Sequence, residues 1–189
     1  MYWRKVALFG KVTGMVCLNV LFWLRVILFG LIGSMRGWAK ELLVTFGGVL
    51  SVFLITILER WVPFISKTIT FEGGAAQFWM RTIILLAVIF FAYQTPNLTK
   101  LAGSNRFARE RLQDSLLGLF LGAVNGYLVF GSIWYWLHFA KYPFPDIVSE
   151  PASEAALALI NLLPPHWLGT PVIYFAVAIA FAFVLVVFI

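Results

Sequence analysis

Five stretches of this chain, residues 14–35, 38–58, 79–98, 116–138 and 171–189, are mainly apolar over roughly the 20 residues that carry a helix across a bilayer. Few folds are open to such a chain. In hydrocarbon every backbone N–H and C=O must find its partner within the protein, and an isolated span manages this only as a helix. The expected fold is an all-α integral membrane protein, a bundle of four to five transmembrane helices with a tight first helical hairpin. Four is the lower figure because the firm apolar core of the third window, 83–93, is short, and Gln94-Thr95-Pro96-Asn97 suits the headgroup zone. Composition agrees, since 62% of the 189 residues are hydrophobic, 12% are charged and the mean hydropathy is +0.94. That is too little charge to coat a soluble domain.

The chain divides into a basic N-terminal segment (1–13), a four-helix membrane core (14–140), an acidic loop with a short interfacial helix (141–170) and an extra C-terminal transmembrane helix (171–189). Arg4, Lys5 and Lys11 precede the first apolar run as in a signal peptide, but Arg25 interrupts that run and a second helix follows Gly33-Ser34-Met35 directly, so an uncleaved anchor is expected. The net charge is +6, yet the basic residues are scattered among apolar stretches with no aromatic-interleaved run. The lipid bilayer, not nucleic acid, is the expected partner. Cys17 stands alone and is read as space-filling, without disulfide or metal.

Orientation rests on loop charge. The turn between the first two spans and the loop after the third hold six basic residues (Arg36, Lys40, Lys100, Arg106, Arg109, Arg111), packed into two short segments. The opposite side holds seven (Arg4, Lys5, Lys11, Arg60, Lys67, Arg81, Lys141), more thinly spread and joined by Asp146, Glu150 and Glu154. Charge density favours an N-terminus outside and the hairpin turn inside. In 153–163, residues Ala155, Ala156, Leu159, Ile160 and Leu163 share one helical side before Pro164-Pro165, and His166 and Trp167 follow at interfacial level.

Apolar side chains gain nothing by leaving lipid for one another, so small and polar residues carry the information within spans. At about 100° per residue, Asp114, Gly118, Gly122, Asn125, Gly126 and Ser132 form one stripe on the fourth span. A close-packed seam explains the glycines better than a transport pathway, while Asn125 at mid-span demands a partner or water. Glu41, Thr45, Gly48 and Thr56 form a companion stripe on the second span, placed so that the two stripes could face each other. Glu41 reads equally as a carboxylate held by free N–H groups at a helix start, or as part of a polar cluster in which Arg36 or Lys40 pairs with Glu41 and Asp114. Gly30, Gly33 and Gly37 share one face of the first span and Arg25 and Arg36 another. Arg25 lies about 16 Å from Arg36 along that helix, as Asn125 does from Asp114. No acid is expected at that depth, so Arg25 is expected to pair with Asn125, a backbone carbonyl or another subunit. No nucleophile elbow, zincin motif or phosphate loop occurs, and His138 and His166 read as interfacial side chains. No enzyme activity, cofactor or metal is expected.

Ser34-Met35-Arg36-Gly37-Trp38-Ala39-Lys40-Glu41-Leu42, an Arg-Gly turn followed by a basic residue and Glu, resembles the signature of the CvpA (colicin V production protein) family. Gln113-Asp114-Ser115-Leu116-Leu117-Gly118-Leu119-Phe120-Leu121-Gly122-Ala123-Val124-Asn125-Gly126 resembles that family's Asp-x-x-x-Gly-x-x-x-Gly-x-x-x-Gly segment. The resemblance implies a bacterial inner-membrane protein of about four spans, associated with toxin production or export and without catalysis. The matching positions are Arg36, Gly37, Glu41, Asp114, Gly118, Gly122 and Gly126. The chain departs from the family at Asn125, where a basic residue is common, at Arg25, where an apolar one is expected, and in its last span. An accessory subunit of a larger membrane complex, meeting other subunits or copies of itself, is the alternative reading, and a small channel or transporter the third.

Overall fold

The computed structural model describes residues 18–65, 74–94, 108–144, 148, 151 and 154–188. Every regular element among them is helical: α1 (Leu18–Arg36), α2 (Trp38–Trp61), α3 (Gly74–Tyr93), α4 (Ala108–Phe139), α5 (Glu154–Ile160), α6 (Pro164–Trp167) and α7 (Val172–Phe188). The first four are long and apolar enough to cross a membrane. The protein is a multi-pass membrane protein with an all-α bundle. Helix α7, at 17 residues, is not among those four, so the fifth span expected over 171–189 is a shorter apolar helix, with Phe175, Ile179, Phe181 and Val186 exposed. Cys17, the basic N-terminal segment, Lys67, Lys100 and Arg106 lie outside the described residues.

Helix α1 ends in a one-residue turn. Gly37 has φ 90°, its N–H donates to Gly33 O at 3.0 Å to close α1, and its carbonyl accepts the Glu41 N–H at 3.3 Å to open α2. A positive φ of this size is easy only for glycine. Beyond the turn, α1 and α2 share far less contact with each other than either shares with α4. Helix α4 is the hub, packed against α1, α2, α3 and α6. One core cluster joins α2, α3 and α4 through Val44, Ile55, Leu85, Ile89, Val129 and Trp136. A second joins α1 and α4 to α5 through Phe22, Trp134, Ala156 and Ile160, and a third joins α2 and α4 to the start of α7 through Val52, Leu128 and Ile173.

Several expectations change. The third helix runs over Gly74–Tyr93, starting five residues before the expected 79, with a turn at Gln94; 95–98 lie outside the described residues. A residue before proline is pushed out of the helical region, so Pro96 opposes a helix continuing through Thr95. The shift makes Arg81 a helical residue instead of a loop charge. Its Nε donates to Glu59 Oε1 at 2.6 Å and its Nη2 to Oε2 at 2.9 Å, while Gln77 Nε2 donates to Oε1 at 3.1 Å. That forked pair ties α3 to the far end of α2. The interfacial helix is the shorter α5, with Ala156, Ile160 and Leu163 buried against the bundle but Ala155 exposed. Pro164-Pro165 starts α6 instead of only ending a run, and Trp167 Nε1 donates to Tyr127 OH at 3.2 Å.

Candidate functional site

The glycine seam comes first, because it sets how close the helices approach. Asp114, Gly118, Gly122 and Gly126 recur every four residues on α4, which places them nearly in line along one side of the helix. Antiparallel α1 lies along that line. A Cβ at Gly118 would strike Gly33 O, one at Gly122 would strike Phe29 O and lie 2.9 Å from Gly33 Cα, and one at Gly126 would lie 3.0 Å from Val26 Cα. Gly33 in turn would strike Gly118 O, and a Cβ at Gly30 would lie 3.3 Å from Leu119 O. Backbone meets backbone along three helical turns. The glycines of the seam face α1, while the two polar stripes meet where Asn125 reaches Glu41 and Thr45.

At its Asp114 end the seam meets the hairpin turn. Asp114 Oδ1 accepts the Trp38 N–H at 3.1 Å, and a Cβ at Gly37 would lie 2.9 Å from the same oxygen. The first N–H groups of a helix have no partner within it, so α4 caps α2 with a carboxylate at the end where negative charge is favoured. Asp114→Ala is expected to lower stability by about 1 kcal/mol, as loss of a capping oxygen does, with Asp114→Asn closer to the parent. Thermal unfolding in mild detergent measures both; an unchanged Asp114→Ala would show the cap to be idle.

One turn into α2 lies a buried polar cluster. Glu41 is fully buried, yet both carboxylate oxygens are used: Arg36 Nη1 donates to Oε1 at 2.5 Å and Asn125 Nδ2 to Oε2 at 2.8 Å. Asn125, 1% exposed, places its second N–H on Glu41 O at 3.0 Å, and its Oδ1 accepts the Thr45 hydroxyl at 2.7 Å. The amide's two hydrogens and its oxygen are thereby engaged. Arg36 is 22% exposed, donates through Nη2 to Tyr93 O at 3.3 Å and lies with Cζ 4.3 Å from the centre of the Tyr93 ring. One guanidinium thus closes α1, pairs with α2 and holds the carbonyl end of α3, where a cation is favoured.

Compared with protein-family models, curated proteins and solved structures, the chain finds no match.

Of the residues the sequence singles out, Arg36, Glu41 and Asn125 meet directly, and Gly37 and Asp114 meet beside them. Lys40 follows on the first turn of α2. Gly30, Gly33, Gly118, Gly122 and Gly126 form the α1–α4 seam. Gly48 lies against Leu128 and Ile89, and Thr56 turns back to Val52 O at 2.8 Å. Ser132 is buried on the inner side of α4. Arg25 does not pair with Asn125: its Cζ lies 5.6 Å from the centre of the Phe130 ring. An acid does reach Asn125, because α2 brings Glu41 to it; counting rise along each helix separately ignores how the axes cross. Tyr93 is the participant that sequence reading missed. Ending the third span at 98 hid it, although an aromatic residue directly before Gln94-Thr95-Pro96 marks a helix end whose free carbonyls attract a cation. His138 Nδ1 lies 3.4 Å from Tyr142 OH and the His166 ring 6.4 Å from that of Tyr135, at the other end of α4 from the cluster. Among the described residues, no three His, Cys, Asp or Glu side chains gather as a metal site requires.

Proposed function

We propose that this chain is a non-catalytic membrane factor of the CvpA type, acting in a bacterial inner membrane in the production or export of a colicin-like toxin and in envelope function. Its N-terminus lies outside and its α1–α2 turn inside. The observation that supports this reading is that the two sequence blocks carrying the resemblance, far apart in the chain, pack into one unit. Arg36 and Glu41 of the first block bond each other and Glu41 bonds Asn125 of the second, while Gly37 lies on Asp114 and Gly33 on Gly118 and Gly122. A buried ion pair is a poor source of net stability, because desolvation offsets its attraction. Its use here is to hold three helices in one register around the turn, which is what a factor that presents that turn to a partner requires.

The test is complementation. In a colicin V-producing bacterium deleted for its own CvpA-family protein, expression of this chain is expected to restore the zone of inhibition on a sensitive lawn. Glu41→Leu, at equal membrane abundance, is expected not to. Absence of rescue by the parent chain present at normal levels in the membrane would overturn the reading.

A second reading, an accessory subunit of a larger membrane complex, draws on Arg25 and on the exposed face of α1 around it. A channel or transporter is favoured least, because the polar side chains of the cluster bond one another instead of lining a passage.

A further inference from the structure

Arg25 lies eleven residues from Arg36, about 16 Å along α1, which is near the middle of a hydrocarbon core roughly 30 Å thick when Arg36 sits at the headgroups. A guanidinium at that depth is costly and ordinarily meets a partner. It is partly exposed, and the contact it makes among the described residues is with the face of Phe130, whose ring centre lies 5.6 Å from Cζ. A ring face attracts the charge but accepts little of the five-donor fork. On the same side of α1, three and seven residues on, Leu28 and Ile32 are exposed, with Leu24 beside them. The outer face of α1 is therefore an apolar stripe with one partly exposed cation on its margin, where α1 meets Phe130 of α4.

We propose that this stripe docks a transmembrane helix of a different protein, one that carries a single carboxylate at mid-span to pair with Arg25. Charge complementarity selects the carboxylate, since it takes two of the guanidinium donors at once and removes the uncompensated charge from lipid. Among the described residues of a second copy, no acid supplies it. Glu41 is sealed beneath Arg36, Glu59 is paired with Arg81 at the end of α2, and Asp114 caps the turn. Glu110 and Glu154 stand in the first turns of α4 and α5, away from mid-span. The inference does not rest on the toxin-export reading, because none of the cluster residues takes part in it.

The experiment uses the purified full-length chain in phosphatidylcholine vesicles with a synthetic Leu/Ala transmembrane peptide carrying one central Glu, and its Gln counterpart, read by energy transfer. The Glu peptide is expected to associate about tenfold more tightly than the Gln peptide, a difference of about 1.4 kcal/mol. Arg25→Leu and Arg25→Gln are expected to erase that preference and Arg25→Lys to keep part of it, each variant melting as the parent does in detergent. The use of two neutral variants guards against one that misfolds. Equal association of Glu and Gln peptides with the parent would overturn the proposal and leave the guanidinium to lipid headgroups. A Glu preference surviving in both neutral variants would overturn it too. So would energy transfer between two labelled copies of the parent that disappears in Arg25→Leu, which would make the partner a second copy.

Discussion

Gly122→Leu is expected to unfold the bundle. The added Cβ would strike Phe29 O and lie 2.9 Å from Gly33 Cα and 3.1 Å from Phe29 C, and all three atoms are backbone. Flexible side chains rotate away from an intruder, but helix backbone does not, so α1 must leave α4 along the whole seam. Inserting methylenes into a packed core costs about 1–3 kcal/mol when side chains absorb the strain, and this site is expected to exceed that range. Small residues at helix interfaces serve this close approach where no hydrophobic force drives helices together. Gly48→Ala is the control. Its Cβ would lie 3.5 Å from Leu128 Cδ1 and 3.7 Å from Ile89 Cδ1, ordinary contacts with side-chain tips, so its melting is expected to stay near the parent's. Circular dichroism melts in mild detergent compare the two. If Gly122→Leu melted within a few degrees of Gly48→Ala, the seam would not be what holds α1.

The second large effect lies at Glu41. Removing one member of a buried pair leaves the other charge uncompensated, and Glu41→Leu is expected to cost about 3–5 kcal/mol. It strips Arg36 Nη1 of its acceptor and Asn125 of one of two. Asn125 keeps Glu41 O and the Thr45 hydroxyl, both supplied by α2 whatever the side chain at 41. Most of the loss is therefore assigned to Arg36. The double variant Arg36→Met/Glu41→Leu tests this, since it removes both charges and replaces them with apolar groups. It is expected to recover much of the stability that Glu41→Leu loses, giving a strong coupling in the double-mutant cycle. Losses that simply add would mean that the pair does not act as a unit.

Membrane spanning and the one-residue turn were legible because they obey local rules. The length of an apolar run against the thickness of hydrocarbon needs no tertiary information, and the first, second and fourth windows all fall on long helices. Gly37 was legible for the same reason: two helical windows leave almost no chain between them, and positive φ belongs to glycine. The third window drifted because 74–78 are only mildly apolar and Gln94 to Asn97 are polar without being charged, so hydropathy marks neither end sharply. Pro96 was the better marker.

The site divides along the same line. The four-residue spacing of Gly118, Gly122 and Gly126 shows that some backbone comes close, and the positions of Arg36 and Glu41 five residues apart across a turn show that they can meet. Which helix fills the seam is a different kind of fact. It depends on how α1 and α2 diverge after Gly37, a choice made by every contact along α4 together and by no residue alone. The same divergence carries Glu41 to Asn125, leaves Arg25 on Phe130, and brings Tyr93 O under Arg36 from a helix more than fifty residues later in the chain. By itself the sequence determined that the chain crosses a membrane as helices, where it turns and which face of α4 is bare. The tertiary structure decided the partners, because crossing angle and tilt are collective properties of packed side chains that a helical wheel of one element does not contain.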